Sequence, residues 1–181
     1  MPVVSVDTQA IPMVRTADVS ALISDSGITR YRLEAKIWDM YSNEENAYSH
    51  FPEGIYVERF DSLLTAEGYI KADTAYHFDK KGLWQLIGSV FVKNIEGRTF
   101  ETEELFWKEE SNPNSLEAFY TDKFVKITEA NGDVRYGRKG FKSNQSMSDI
   151  VFLSFGGELS VDESPNVEAD NIQKDSIQSH E

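Results

Sequence analysis

Residues 30–37 alternate cleanly, with Tyr31, Leu33, Ala35 and Ile37 on one face and Arg30, Arg32, Glu34 and Lys36 on the other. A period of two is the mark of a half-buried strand. The turn signal Asp25-Ser26-Gly27 precedes it, so 18–37 is predicted to be a hairpin. Further along, Ile55, Val90 and Val125 lie 35 residues apart, and so do Val57, Val92 and Ile127. These six positions are all β-branched aliphatic, whereas Tyr56, Phe91 and Lys126 between them, and Glu58, Lys93 and Thr128 after them, are mixed. The aliphatic face is therefore expected to point inward. Each copy follows a related strand: Leu33-x-Ala35, Ile70-x-Ala72 and Phe100-x-Thr102. A strand pair recurring at a fixed period predicts one structural unit copied along the chain and stacked on itself.

Strands are predicted near 47–57, 63–77, 83–93, 98–107, 116–128, 133–142 and 147–154. The punctuation is turn chemistry: Pro52-Glu53-Gly54, Glu67-Gly68, Lys81-Gly82, Glu96-Gly97, Asn112-Pro113-Asn114 and Asn131-Gly132-Asp133. No ten-residue segment carries an apolar stripe of helical period. The class is all-β, an antiparallel sandwich, jelly roll or barrel. Residues 1–13 read as an N-terminal arm and 14–155 as the β domain. Residues 156–181 are rich in Ser, Asp, Glu, Asn and Gln and are expected to form a disordered tail.

Charge and composition narrow the function by exclusion. The net charge is −13, and from Gly157 onward seven acidic residues face one lysine. Phosphates would be repelled, so no nucleic-acid partner is expected. The absence of cysteine removes disulfides, thiol catalysis and Cys-based metal sites. No apolar run reaches the roughly 18 residues of a membrane span. The opening Met1-Pro2-Val3-Val4 reads as the trimmed start of a longer chain.

The search for catalytic groups yields little. His50, His77 and His180 are scattered, and a jelly-roll metal site needs clustered ligands. No metal, cofactor or turnover is expected, and neither His50 nor His77 is expected to share a site with a carboxylate. Glu101, Glu103 and Glu104 near Glu109 and Glu110 resemble paired glycosidase carboxylates, but the period-2 placement of Glu101 and Glu103 is that of a solvated strand face. Trp38, Trp84 and Trp107 fall at strand ends, where rings cover the core rim; a sugar-stacking platform is the alternative. No nucleophile elbow, P-loop or dinucleotide fingerprint occurs.

One family resemblance emerges from the order of the motifs. Ala72-Asp73-x-Ala75, then Leu83-Trp84-Gln85-Leu86-x-Gly88-x-Val90-x-Val92-x-Asn94-x-x-Gly97, then Thr102-Glu103-x-Leu105-x-Trp107 resembles the periplasmic C component of the lipopolysaccharide-export machine, the LptC family. Tyr120-Thr121-Asp122-x-x-Val125-x-Ile127 and Gly140-Phe141-x-Ser143-Asn144-Gln145-Ser146-Met147 also look like that family. The resemblance spans roughly residues 14–154. A related periplasmic bridge protein shares the module, so chain layout carries the assignment. The loop Asn112-Pro113-Asn114 and the acidic tail do not fit the family pattern.

The resemblance implies an open, twisted antiparallel β jelly roll of two facing sheets. It implies a carrier held at the inner membrane by an N-terminal segment and working in the periplasm. Such a carrier takes lipopolysaccharide from an inner-membrane ABC transporter and passes it to a periplasmic bridge protein. The same open edges would also join copies of this chain. The lipid would lie against Leu33, Ala35, Ile37, Ile55 and Val57 in the first part of the domain. It would continue along Ile70, Ala72, Leu86, Val90 and Val92, and end on Phe100, Leu105, Val125, Ile127 and Phe141. Docking to the bridge protein would use a C-terminal edge at Met147, Asp149, Ile150, Val151 and Phe152, where Asp149 is the one charged blocker. The rival is a glycan-binding β-sandwich whose outer aromatics form the site; a jelly-roll enzyme is a third reading.

Overall fold

The computed structural model describes residues 11–25, 27–42, 47–109 and 112–153. The arm up to residue 10, the tail 156–181, His180 and Glu110 lie outside the described residues. Among the described residues thirteen strands form one continuous antiparallel sheet that folds over into two facing layers of a jelly roll. They are β1 (Val14–Asp25), β2 (Ile28–Tyr41), β3 (Tyr48–Phe51), β4 (Ile55–Phe60), β5 (Ala66–Ala72) and β6 (Thr74–Phe78). After a 3-10 turn at Asp79–Lys81 come β7 (Leu83–Lys93), β8 (Thr99–Lys108), β9 (Phe119–Thr121), β10 (Val125–Thr128), β11 (Val134–Gly137), β12 (Phe141–Ser143) and β13 (Ile150–Phe152).

Three long strands make the fold. β2 pairs with β4 through Tyr31–Ala35 and with β3 through Asp39–Tyr41. β7 pairs with β6 over its first half and with β5 over its second. β8 pairs with β10 over its first half and with β9 over its second. The first layer thus runs β2–β4–β5–β7–β8–β10–β11, and the second runs β2–β3–β6–β7–β8–β9–β12–β13. β1 lies along the outside of β2 for its whole length.

The neighbours of the long strands break at the corner between layers. Predicted runs 47–57, 63–77, 116–128 and 133–142 each become two strands, split at Pro52–Gly54, Asp73, Asp122–Phe124 and Arg138–Gly140. Gly140 has φ +86°, and a Cβ there would overlap the Thr121 carbonyl oxygen, so the close approach of β9 to the β11–β12 corner requires glycine.

The long strands turn the same corner by slipping phase. In β8 the inward residues are Phe100 and Thr102, then Leu105 and Trp107, so the alternation skips one position at Glu103–Glu104. β2 does the same: Leu33 and Ala35 pack inward, and then Trp38. Ile37, expected on the inner face, falls in the skipped interval; it is half-buried and belongs to neither apolar cluster. β7 instead inserts a bulge between Ile87 and Val90, with Gly88 at φ +79° and Ser89 at φ +44°. The bulge restores Val90 and Val92 to the inside, where they are 1% and 3% exposed, and leaves Phe91 outside opposite Glu101. The predicted hairpin at 18–37 is β1–β2, longer at both ends.

Candidate functional site

The inner face is built in rows across the strands. Ala21, Leu33, Val57, Ile70, Val92, Phe100 and Ile127 are successive register partners. The 35-residue repeat therefore has a physical meaning: it places Val57, Val92 and Ile127 two strands apart in one row, with Ile70 and Phe100 between them. In the adjacent row Ile55 faces Ala35 and Ala72, and Thr102 faces Val90 and Val125. Of the residues assigned to the lipid path, Leu33, Ile55, Val57, Ala72, Leu86, Val90, Val92, Phe100, Leu105, Val125, Ile127 and Phe141 are all buried, and Ala35 and Ile70 pack against them half-buried.

This apolar face is continuous but filled. The second layer presses Phe51, Ala75, Trp84, Trp107 and Phe119 onto it, residues the inward pattern of 55/90/125 did not reveal. Across the gap Phe100 stacks on Phe141 at 5.5 Å and Tyr31 lies 5.7 Å from Trp107. Along the second layer the rings of Trp38, Phe51, Trp84, Trp107 and Phe119 follow one another at 5.5–5.8 Å. Trp84 and Trp107 are thus interior rings near strand ends, and an external sugar platform does not use them.

At the mouth farthest from the corner, residues 144–149 form a strap across the gap. Asn94 Nδ2 donates to the carbonyls of Ser146 and Met147 at 3.3 Å each, and Arg98 donates to those of Met147 and Ser148 at 3.0 and 3.2 Å. The strap drives Met147 into the core, where it is 2% exposed with φ +54°. Met147 was expected on the docking edge; it is a core plug instead, because the turn closed by its N–H to Asn144 O points its side chain inward. A cavity of about 60 Å³ lies beside it.

The histidines also depart from expectation. His77 stacks on Trp84 at 4.2 Å, with Nδ1 3.0 Å from Asp79 and Nε2 3.4 Å from Glu109. The 3-10 turn brings Asp79 back beside His77, and β7–β8 pairing brings Glu109 alongside, so this histidine does share its site with carboxylates. His50 faces Asp39 across the β2–β3 register. Burial pushes His50 below the ordinary imidazole value, with the Asp39 charge partly opposing it. Asp39 itself is held below the carboxylate range by two hydrogen bonds from Arg15 at 2.7 Å each, against its burial. Among the described residues, no three acidic or histidine side chains converge as metal ligands do. Glu101 pairs with Lys126 at 2.9 Å, and Glu104 accepts from Gln85 at 2.7 Å with Lys123 4.0 Å away, so these carboxylates are partnered on outer strand faces.

Among the described residues three strands end the sheet: β1 pairs only with β2, β11 only with β10, and β13 only with β12. The C-terminal side therefore presents two strands, not the single one expected. β13 carries Ile150 and Phe152 inward and Val151 outward at 48% exposure, with Asp149 exposed just before it. Leu153 donates to Gly140 O and Asn144 to Asp149 O, so the alternate residues Ile150 and Phe152 direct their N–H groups away from β12.

The outer surfaces are also aromatic. On the first layer Tyr69 lies 5.8 Å from Tyr56 and 5.7 Å from Phe91, and Lys71 Nζ sits 5.6 and 5.4 Å over the Tyr56 and Tyr69 rings. Burial, then the hydrogen bond to Glu58, pushes the Tyr56 hydroxyl up to about 12. A groove of about 840 Å³ adjoins these rings at the corner, lined by Asp18, Glu34, Glu53 and Asp73. On the second layer Tyr48, Phe78, Leu83 and Phe106 form a separate buried cluster with Tyr41, Tyr76 and Tyr120 around it.

No family model and no curated protein matches this chain. No helix among the described residues is long and apolar enough to cross a membrane.

Proposed function

We propose that this protein is a lipid carrier of the lipopolysaccharide-export type, resembling the periplasmic C component of that machine. It accepts lipopolysaccharide from an inner-membrane ABC transporter and hands it to a periplasmic bridge protein, without turnover. The observation that carries the reading is the inner row from Leu33 to Ile127: apolar side chains in unbroken register from β2 to β10, with strand edges beyond each end that pair with no further strand among the described residues. Each methylene moved from water onto such a face gains about 0.8 kcal/mol, so acyl chains supply the affinity. Backbone groups on β1 and on β11 or β13 supply the junctions by strand addition. The filled interior means that the two layers part when lipid enters, and the strap over the mouth, held by side-chain-to-backbone bonds, is where parting costs least. Expressing the chain in a lipopolysaccharide-producing host and measuring lipopolysaccharide retained on the detergent-free protein by mass spectrometry tests this. Stoichiometric lipid supports the carrier; lipid-free protein that also fails to take up added lipopolysaccharide rejects it.

The filled interior also favours a second reading, a glycan-binding module. Tyr56, Tyr69 and Phe91 offer ring faces beside a groove whose carboxylates can accept from sugar hydroxyls. Binding of soluble oligosaccharide that is lost in Tyr69→Ala distinguishes this reading from the first.

A further inference from the structure

The mouth cavity is chemically unusual for a core defect. Its walls include Val57, Ile70, Val92 and Phe119, yet two lining residues bury polar atoms that have no hydrogen-bond partner among the described residues, Trp107 Nε1 and Gln145 Oε1. Trp107 is only 7% exposed. Buried polar atoms are normally paired, and an exception calls for an explanation. At about 60 Å³ the space exceeds one water and would hold on the order of four. Its neighbour Met147 enters the core from a strap, not from a strand, and does so with a left-handed backbone that a non-glycine residue keeps only when its surroundings hold it. What holds it is polar: Asn94 and Arg98 bonding strap carbonyls.

We propose that this cavity binds the polar-headed end of a single acyl chain, with Met147 as a plug that the chain displaces. One buried donor and one buried acceptor match an amide-linked acyl group. Its carbonyl accepts from Trp107 Nε1–H, its N–H donates to Gln145 Oε1, and the alkyl part follows Ile70 and Val92 into the space Met147 leaves. The ligand class rests on the carrier reading, whereas the site rests on the cavity and its two unpaired atoms.

The test titrates the whole chain with N-methyldodecanamide and with methyl dodecanoate below their solubility limits in water. The readout is the Trp107 indole N–H resonance, assigned with Trp107→Phe. The ester keeps the carbonyl but lacks the N–H, so the wild-type protein is expected to bind the amide about fivefold more tightly, the worth of one hydrogen bond. Gln145→Leu is expected to bind both probes equally. Met147→Ala is expected to bind both more tightly than wild type; if it does not fold, Gln145→Leu decides alone. Absence of a saturable Trp107 shift with either probe overturns the site, as does an amide preference that survives in Gln145→Leu. Weaker binding by folded Met147→Ala overturns the plug. These outcomes are independent of lipopolysaccharide retention, so failure of the carrier reading and failure of this site are separately visible.

Discussion

The register of the inner row makes Phe100 and Phe91 a decisive pair. They are identical side chains on adjacent paired strands, β8 and β7, and they face opposite ways. Phe100 is 1% exposed, sits between Val92 and Ile127 in its row, and stacks on Phe141 at 5.5 Å. Phe91 is half-buried on the outer surface against Tyr69. Truncating a fully buried phenylalanine costs roughly 3–5 kcal/mol in lost transfer energy and residual cavity. Truncating a half-buried ring that keeps one aromatic neighbour is expected to cost about 1 kcal/mol, the usual scale for partly exposed positions. With a urea slope of about 2 kcal/mol per molar, Phe100→Ala should lower the unfolding midpoint by about 2 M and Phe91→Ala by about 0.5 M. Urea titration followed by far-ultraviolet circular dichroism reads both, with equal slopes as the check on two-state behaviour. Equal midpoint losses, or a larger loss for Phe91→Ala, would refute the assignment of the inner face and every site built on it.

Other expectations follow from the same geometry. Val90→Glu places a carboxylate at a 1%-exposed position opposite Thr102 within the apolar core cluster, so it should unfold the domain at pH 7, a loss of at least 3–5 kcal/mol visible as the absence of a cooperative thermal transition; a folded variant with selectively weakened lipid binding would mean that the interior is open. Ile150→Pro removes an outward N–H from β13 without breaking its bonds to β12, so circular dichroism should stay native while the proposed edge-to-edge association, by sedimentation or pull-down with the proposed bridge protein, weakens at least tenfold; unchanged association moves the proposed junction to β11. His50 and Asp39 both titrate below their ordinary values in the folded state. The unfolded chain therefore binds more protons in acid, and stability should fall as pH drops below the unfolded imidazole value near 6.5, and further below the unfolded carboxylate value near 4, where the unfolded chain takes up a proton that folded Asp39 resists; His50→Gln should flatten the slope between about pH 6.5 and 5, and an unchanged slope in urea unfolding would remove His50 as the cause.

What was legible in the sequence was whatever repeats. The predicted run 83–93 coincides with β7, and the 35-residue period marks the inner face, because β-branched residues on one side and mixed residues on the other leave no second solution for Val57, Val92 and Ile127. Corners were illegible. A period-2 reading carried Ile37 inward, but strands that turn between layers skip a position, and Trp38 takes the place. Leu105 and Trp107 pass the same slip in β8 unnoticed because both are apolar. Met147 was hidden for a different reason: its insertion depends on Asn94 and Arg98, some fifty residues away, reaching strap carbonyls. The second-layer cluster of Tyr48, Phe78 and Phe106 left only a weak signal, since tyrosine-rich strands look the same on either face. The His77 contacts arise from a single 3-10 turn and from strand pairing, neither of which the spacing of histidines and acids encodes.

In the proposed carrier, lipid would travel along the inner row. A diazirine amino acid at Ile70, half-buried on that row, and the same residue at Phe91 on the outer surface, test it in living lipopolysaccharide-producing cells. Ultraviolet illumination followed by immunoblotting for lipopolysaccharide should give a strong adduct from position 70 and little from position 91. Adducts from position 91 with none from position 70 would contradict the carrier account and make the outer aromatic surface the binding face.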